Sequence, residues 1–228
     1  MEEKRMYTVT VDGAEYAYPH GTPFRAIAAD FQDRFPCDIL LVNRDGKLCE
    51  LHKLLDRDCS LKMVTAQDKP GIQTYERSAV FLMLKAFYDV AGRENVERIS
   101  VEYSLSSALF ILARGNFTLD QALLDRVEAR MRELSAQALP IEKRTLNTDD
   151  AIDLFRQARL VHKAQLLSFR INSHVNVYSL DGFVDYFYGY MAPDTGYVRC
   201  FGLELFENGF VLRLPTQKDP NHLGEFKP

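Results

Sequence analysis

A chain of 228 residues that is 46% hydrophobic and 26% charged has enough apolar side chains for one or two packed domains, which excludes a disordered or fibrous protein. The formal charge of -4 is spread evenly, with 9 basic and 11 acidic residues through Ala66 and 19 and 21 beyond, so neither part is a basic nucleic-acid binder on charge alone. Cysteines at 37, 49, 59 and 200 form no CxxC pair and the polar start Met-Glu-Glu-Lys-Arg carries no secretory signal, which predicts free thiols in a reducing cytoplasm.

Residues 6 to 18 alternate apolar and polar on either side of Asp12-Gly13, a strong hairpin signal. Gly21-Thr22-Pro23 supplies a cap and a proline for the first helical position. Phe24, Ile27, Ala28 and Phe31 then repeat at helical spacing, predicting a helix of about three turns that ends near Phe35-Pro36. Asp38 to Val42, Lys47 to Leu51 and Cys59 to Val64 read as three further strands. Residues 67 to 73, polar and containing Pro70-Gly71, read as a linker.

Thr74 to Gly92 is the stretch around which the rest is organised. Val80, Phe81, Leu82, Met83, Leu84, Ala86, Phe87, Tyr88 and Val90 leave almost no polar face, so this helix must be covered on nearly all sides. Arg77, Lys85 and Asp89 make it too charged for a membrane span, and no membrane partner is expected. Glu97 to Leu105 and Ala108 to Arg114 read as strands, and Thr118-Leu-Asp-Gln121 as a capping-box start to a long helix. A short strand at Pro140 to Thr145, a helix capped by Thr148, helical turns at His162 to Phe169, strands at Asn176 to Leu180 and Gly196 to Phe206, and a hairpin into Phe210 to Leu214 complete the reading. The tail from Pro215 reads as an exit segment.

The five histidines show neither HxxxH nor HExxH spacing, so no metal site is expected. No glycine pattern fits GxxxxGK[ST] or GxGxxG and no GxSxG is present, so no phosphate-cradling loop or nucleophile elbow is expected either.

Two resemblances follow from these residues. Tyr16-Ala-Tyr-Pro-His-Gly-Thr-Pro, a helix, and then Leu40-Leu-Val-Asn-Arg-Asp-Gly-Lys-Leu resemble a TGS domain, a ubiquitin-like β-grasp module found at the N-terminus of threonyl-tRNA synthetases and in several GTPases and stringent-response enzymes. Tyr75-Glu-Arg-Ser-Ala, Arg126 to Leu134 with Pro140-Ile-Glu-Lys-Arg144, and Val184 to Pro193 fall in the order of the editing domain of threonyl- and alanyl-tRNA synthetases. The implied fold is α+β. A β-grasp domain (1–66) and a linker (67–73) precede an editing-like domain (74–215), whose central buried helix packs on mostly antiparallel sheet, and an exit tail (216–228) follows.

In the editing family, HxxxH on the core helix and CxxxH near the late strand face each other and bind metal or position the hydrolytic water. The resemblance puts these positions at Arg77, Phe81, Phe187 and Met191. A permanently charged guanidinium, two phenyl rings and a thioether fill neither role, so editing hydrolysis is read as lost and no catalytic residue is expected. The four side chains either fill a vacated cleft, or Arg77 and Lys85, ringed by Tyr75, Tyr186, Tyr188 and Tyr190, form a cationic aromatic pocket for a phosphate or nucleotide.

Finally, Tyr178 to Tyr197 closing with Gly209 to Pro215 resembles the N-terminal region of uridine kinase-like proteins. That resemblance implies a regulatory, ligand- or RNA-contacting module whose partner is a C-terminal P-loop kinase domain. No cofactor is expected in this chain, and ATP and Mg only in the absent kinase domain. An aminoacyl-tRNA deacylase with an altered site, and a structural or dimerisation domain, are the alternatives.

Overall fold

The structure is a computed structural model that describes residues 5–169, 173–224 and 226. Strands β1 (Met6–Val11) and β2 (Ala14–Pro19) form the hairpin. Asp12 and Gly13 both take positive φ, at 51° and 82°, as a two-residue primed turn requires. After α1 (Phe24–Ala29) come β3 (Ile39–Arg44), β4 (Lys47–Glu50) and β5 (Cys59–Thr65). The sheet order is β2-β1-β5-β3-β4, with β1 and β5 parallel and the other pairs antiparallel, which is the β-grasp arrangement. Val9, Val11, Val42, Leu61 and Met63 meet Phe24, Ile27 and Phe31 in its core. The helix is shorter than its apolar spacing predicts. Gln32 donates to the Cys37 carbonyl (2.9 Å) and accepts from the Ile39 amide (3.0 Å), tying the following turn to the start of β3.

The remaining elements are α2 (Lys69–Ala91), β6 (Val96–Leu105), β7 (Ala108–Gly115), α3 (Gln121–Ala136), β8 (Glu142–Asn147), α4 (Thr148–Gln157), α5 (Val161–Ser168), β9 (His174–Leu180), β10 (Phe183–Tyr186), β11 (Gly202–Phe206) and β12 (Gly209–Arg213). Two antiparallel sheets result, in the orders β11-β12-β7-β6 and β10-β9-β8. Helix α2 runs through the core between them: Ala79, Phe81, Leu82, Met83, Ala86 and Phe87 are fully enclosed, and Phe87 stacks on Phe210 at 5.9 Å. Cys37, Leu40 and Ala66 of the first unit join the same cluster, so the two units share a packed boundary.

Several expectations are corrected. The stretch read as a linker is mostly helix, because α2 begins at Lys69. Asp68 accepts from the Thr65 amide at 2.9 Å, Pro70 sits in the first turn where its missing N–H costs nothing, and Gly71 allows close approach to β5. Helix α3 is capped by Asp120, whose carboxylate accepts from the Leu123 amide, rather than by Thr118. Residues 195–197 form a 3-10 turn capped by Asp194, so the strand expected from Gly196 starts only at Gly202. The part of the expected exit tail through Gly224 folds back on the body, and residues 225, 227 and 228 lie outside the described residues. Pro215 bridges to Leu223, Gln217 donates to the Gln67 carbonyl and Asn221 donates to that of Pro36. Among the described residues no helix is long and apolar enough to cross a membrane.

Candidate functional site

Helix α2 and the segment after β10 face each other where the sequence places the altered editing positions. Arg77 and Phe81, one turn apart on α2, share a face. The Arg77 Nε donates to the Tyr190 carbonyl at 2.9 Å, and its guanidinium fills the space beside the α-carbon of Gly189, which takes φ 109°. The Phe81 ring lies 5.3 Å from that of Phe187 and 5.6 Å from that of Phe183. Met191 is buried, its amide turned to the first unit, and the next amide, Ala192, donates to Ser78 Oγ at 2.8 Å. The Phe81 and Phe187 rings thus pack on each other, Met191 belongs to the same buried cluster, and Arg77 reaches this segment through the Tyr190 carbonyl.

The closure comes from Glu50, at the end of β4, whose carboxylate is 3% exposed. It receives the Lys143 ammonium at 2.9 Å from β8 and the Met191 amide at 3.2 Å, and the Tyr178 hydroxyl on β9 lies 3.0 Å away. That hydroxyl is also 2.9 Å from the Gly189 carbonyl, so its one proton serves either acceptor. Burial, followed by the nearby Glu50 charge, pushes the Tyr178 hydroxyl above the ordinary tyrosine range. Burial lowers Arg77, against the opposing pull of Tyr178, Glu76 and Glu50. A buried carboxylate is tolerable because cations and hydrogen-bond donors surround it. Glu50, Lys143 and Tyr178 were not singled out from the sequence.

The wider pocket proposed from the sequence does not assemble. Lys85 is two turns along α2 from Arg77, pairing with Asp89 at 2.7 Å and Asp181 at 3.4 Å. The buried Tyr75 turns its hydroxyl to the backbone of Cys200, donating to the carbonyl and accepting from the amide, each at 2.8 Å. Tyr186 packs against Phe155 and Tyr188, and Tyr188 is more than half exposed. Tyr190 meets Arg77 through its backbone carbonyl.

Chemically, the phenyl rings of Phe81 and Phe187 and the thioether of Met191 neither hold a metal usefully nor move a proton. Among the described residues no three His, Cys, Asp or Glu side chains gather as metal ligands would. The buried carboxylate beside this contact, Glu50, is already paired with Lys143.

No family model matches the chain. It is similar to threonine–tRNA ligases: that of Methylococcus capsulatus is 27% identical over 200 residues, covering 84% of this chain and 30% of the ligase. The enzyme of Paraburkholderia xenovorans is 26% identical over 193 residues, with the same 84% and 30% coverage, and that of Thermotoga neapolitana is 26% identical over 202 residues, covering 87% and 30%. The chain therefore spans less than a third of the length of these relatives.

Proposed function

We propose that this chain is a non-hydrolytic, tRNA-contacting module derived from the N-terminal region of a threonine–tRNA ligase-like ancestor. One observation carries the reading: Arg77 and Phe81 on α2 meet the segment bearing Phe187 and Met191, as the two halves of an editing site would, yet the contact is filled and sealed by Glu50. The similarity to threonine–tRNA ligases over most of the chain supports the same origin, and the β-grasp unit is read as its TGS-like part. In its narrower form the module regulates a nucleoside kinase domain lying outside residues 1–228, which alone would take ATP and Mg.

The test is tRNA binding by fluorescence anisotropy across a salt series, alongside release of amino acid from mischarged aminoacyl-tRNA with and without a chelator. The expected result is salt-sensitive binding, because phosphate contacts release counterions, with no release above the spontaneous rate. Hydrolysis that survives chelation and disappears in Arg77→Ala would replace this reading with an altered-site deacylase. Absence of tRNA binding would leave a structural or dimerisation domain.

A further inference from the structure

On another side of the molecule, a cleft of about 770 Å³ opens between the two units and shares no lining residue with the filled contact. One wall is α1, with Arg25, Ala28 and Ala29, and Gln32 of the turn that follows it. The other is α3 with Arg132, Ser135 and Ala136, and the segment bearing Asp194, Tyr197, Arg199 and Phe201 lies beside it, with Asp38 and Ile39 at the start of β3. Alanines and a glycine keep the interior wide, and the volume lies within the range of small-molecule sites.

We propose that this cleft binds a small phosphate-bearing ligand of nucleotide size. Three guanidiniums converge on it, against two lining carboxylates, Asp38 and Asp194. Arg25 meets Asp194 at 2.7 Å through Nη2 and lies over the Tyr197 ring at 5.7 Å. Arg132 meets Glu128, just outside the cleft, through Nη2 at 2.5 Å and lies over the Phe201 ring at 5.0 Å. Arg199 meets Asp38, again through Nη2.

Each arginine meets its carboxylate through Nη2, and a guanidinium carries five N–H donors suited to two-pronged contacts with phosphate. The three side chains are 53%, 55% and 65% exposed, so the Arg132–Glu128 and Arg199–Asp38 pairs are worth little and yield readily to a ligand, whereas Arg25 stays beside its buried carboxylate and offers its remaining donors. Asp194 is otherwise committed: it is buried, and its other oxygen accepts from the Gly196 amide at 2.8 Å. Aromatic faces under Arg25 and Arg132 hold both guanidiniums in orientation before any ligand arrives. Because Arg25 and Asp38 belong to the first unit and Arg132, Asp194 and Arg199 to the second, the ligand would clasp the two together.

Isothermal titration of the chain with inorganic pyrophosphate, with AMP and UMP, and with a short single-stranded RNA, all at matched ionic strength, tests the proposal. A small phosphate probe should bind, and Arg25→Gln, Arg132→Gln and Arg199→Gln should each weaken it by about tenfold or more, as expected for losing a charge-assisted contact. Arg57→Gln, outside the cleft, should leave binding unchanged. Thermal melting of each variant separates lost binding from lost folding. No binding of the small probes, or binding indifferent to all three cleft variants, would overturn the proposal. Binding of the RNA alone would overturn it too, making the cleft a nucleic-acid groove. Substitutions at Arg77 should not affect this site, so its failure and that of the tRNA reading are separable.

Discussion

The hydroxyl of Tyr178 lies 3.0 Å from the buried carboxylate of Glu50, 128 residues earlier in the chain, joining the central strand of one sheet to an edge strand of another. Because Lys143 and the Met191 amide share that carboxylate, its removal strands a cation and a donor together. Glu50→Ala should therefore cost about 3–5 kcal/mol, the range for breaking a buried ion pair from one side. Tyr178→Phe should cost about 1–3 kcal/mol. The double variant should lose less than the sum, with a coupling of about 0.5–3 kcal/mol. Urea unfolding of the four proteins measures this, and strictly additive losses would show that the two residues do not act as one network.

Alkaline pH should loosen the core through its tyrosines. Burial pushes Tyr88 up to about 12, from an ordinary value of 10.0, and moves Tyr178 and Tyr75 in the same direction. With the folded value above the unfolded one, the folded state holds its protons longer. The stability from this source is complete below about pH 10 and is lost as pH climbs toward the folded value, by up to about 1.4 kcal/mol per pH unit for each group. Urea midpoints collected between neutral and strongly alkaline pH should show the decline, and Tyr88→Phe should flatten it. A midpoint that stays level through the tyrosine range would contradict the shifts.

The filled contact should behave as core. Phe81 is fully buried and its ring packs against Phe183 and Phe187, so Phe81→Ala should cost about 3–5 kcal/mol. Tyr188→Ala, at a residue more than half exposed on the same segment, should cost far less. Denaturant unfolding of both variants decides the matter: a mild effect at Phe81 would mean that the cleft is emptier than the packing shows.

Legibility from sequence followed the range of the interactions. The hairpin at Asp12-Gly13, the alternation of β6 and β7 and the burial of α2 are local patterns, and each was readable from spacing alone. The facing of Arg77 and Phe81 against Phe187 and Met191 was reachable only through resemblance, because no local rule brings residues that far apart together. Glu50 illustrates what stayed hidden. It stands in Leu48-Cys-Glu-Leu51 as an ordinary strand-end acid, and its partners lie on elements whose pairing the sequence does not display. An acid inside an apolar run was the available signal. Lys85, expected beside Arg77, is instead drawn to Asp89, a local partner at i+4 whose position the sequence does display.

The start of α2 supplies the sharpest test of the corrected boundary. Pro70-Gly71 has the composition of a turn, yet Gly71 sits in the first turns of the helix, where a β-carbon would come within 1.8 Å of the Thr65 carbonyl oxygen and 2.5 Å of its carbon. Both are backbone atoms at the end of β5, anchored by the Thr65 amide bond to Asp68, and cannot swing aside as a flexible side chain could. In a free linker Gly71→Ala would be neutral or slightly stabilising, because alanine restricts the unfolded chain. In this helix it should force α2 away from β5 and cost about 3 kcal/mol or more, at or above the upper end for overpacking. Gly46→Ala gives a useful comparison: its φ of 86° is strained for alanine, but nothing lies within 4 Å of the added carbon, so strain acts there without a clash. Thermal and urea unfolding of both variants should rank Gly71→Ala as the more damaging. The reverse order would return residues 67–73 to the role of a loose connection.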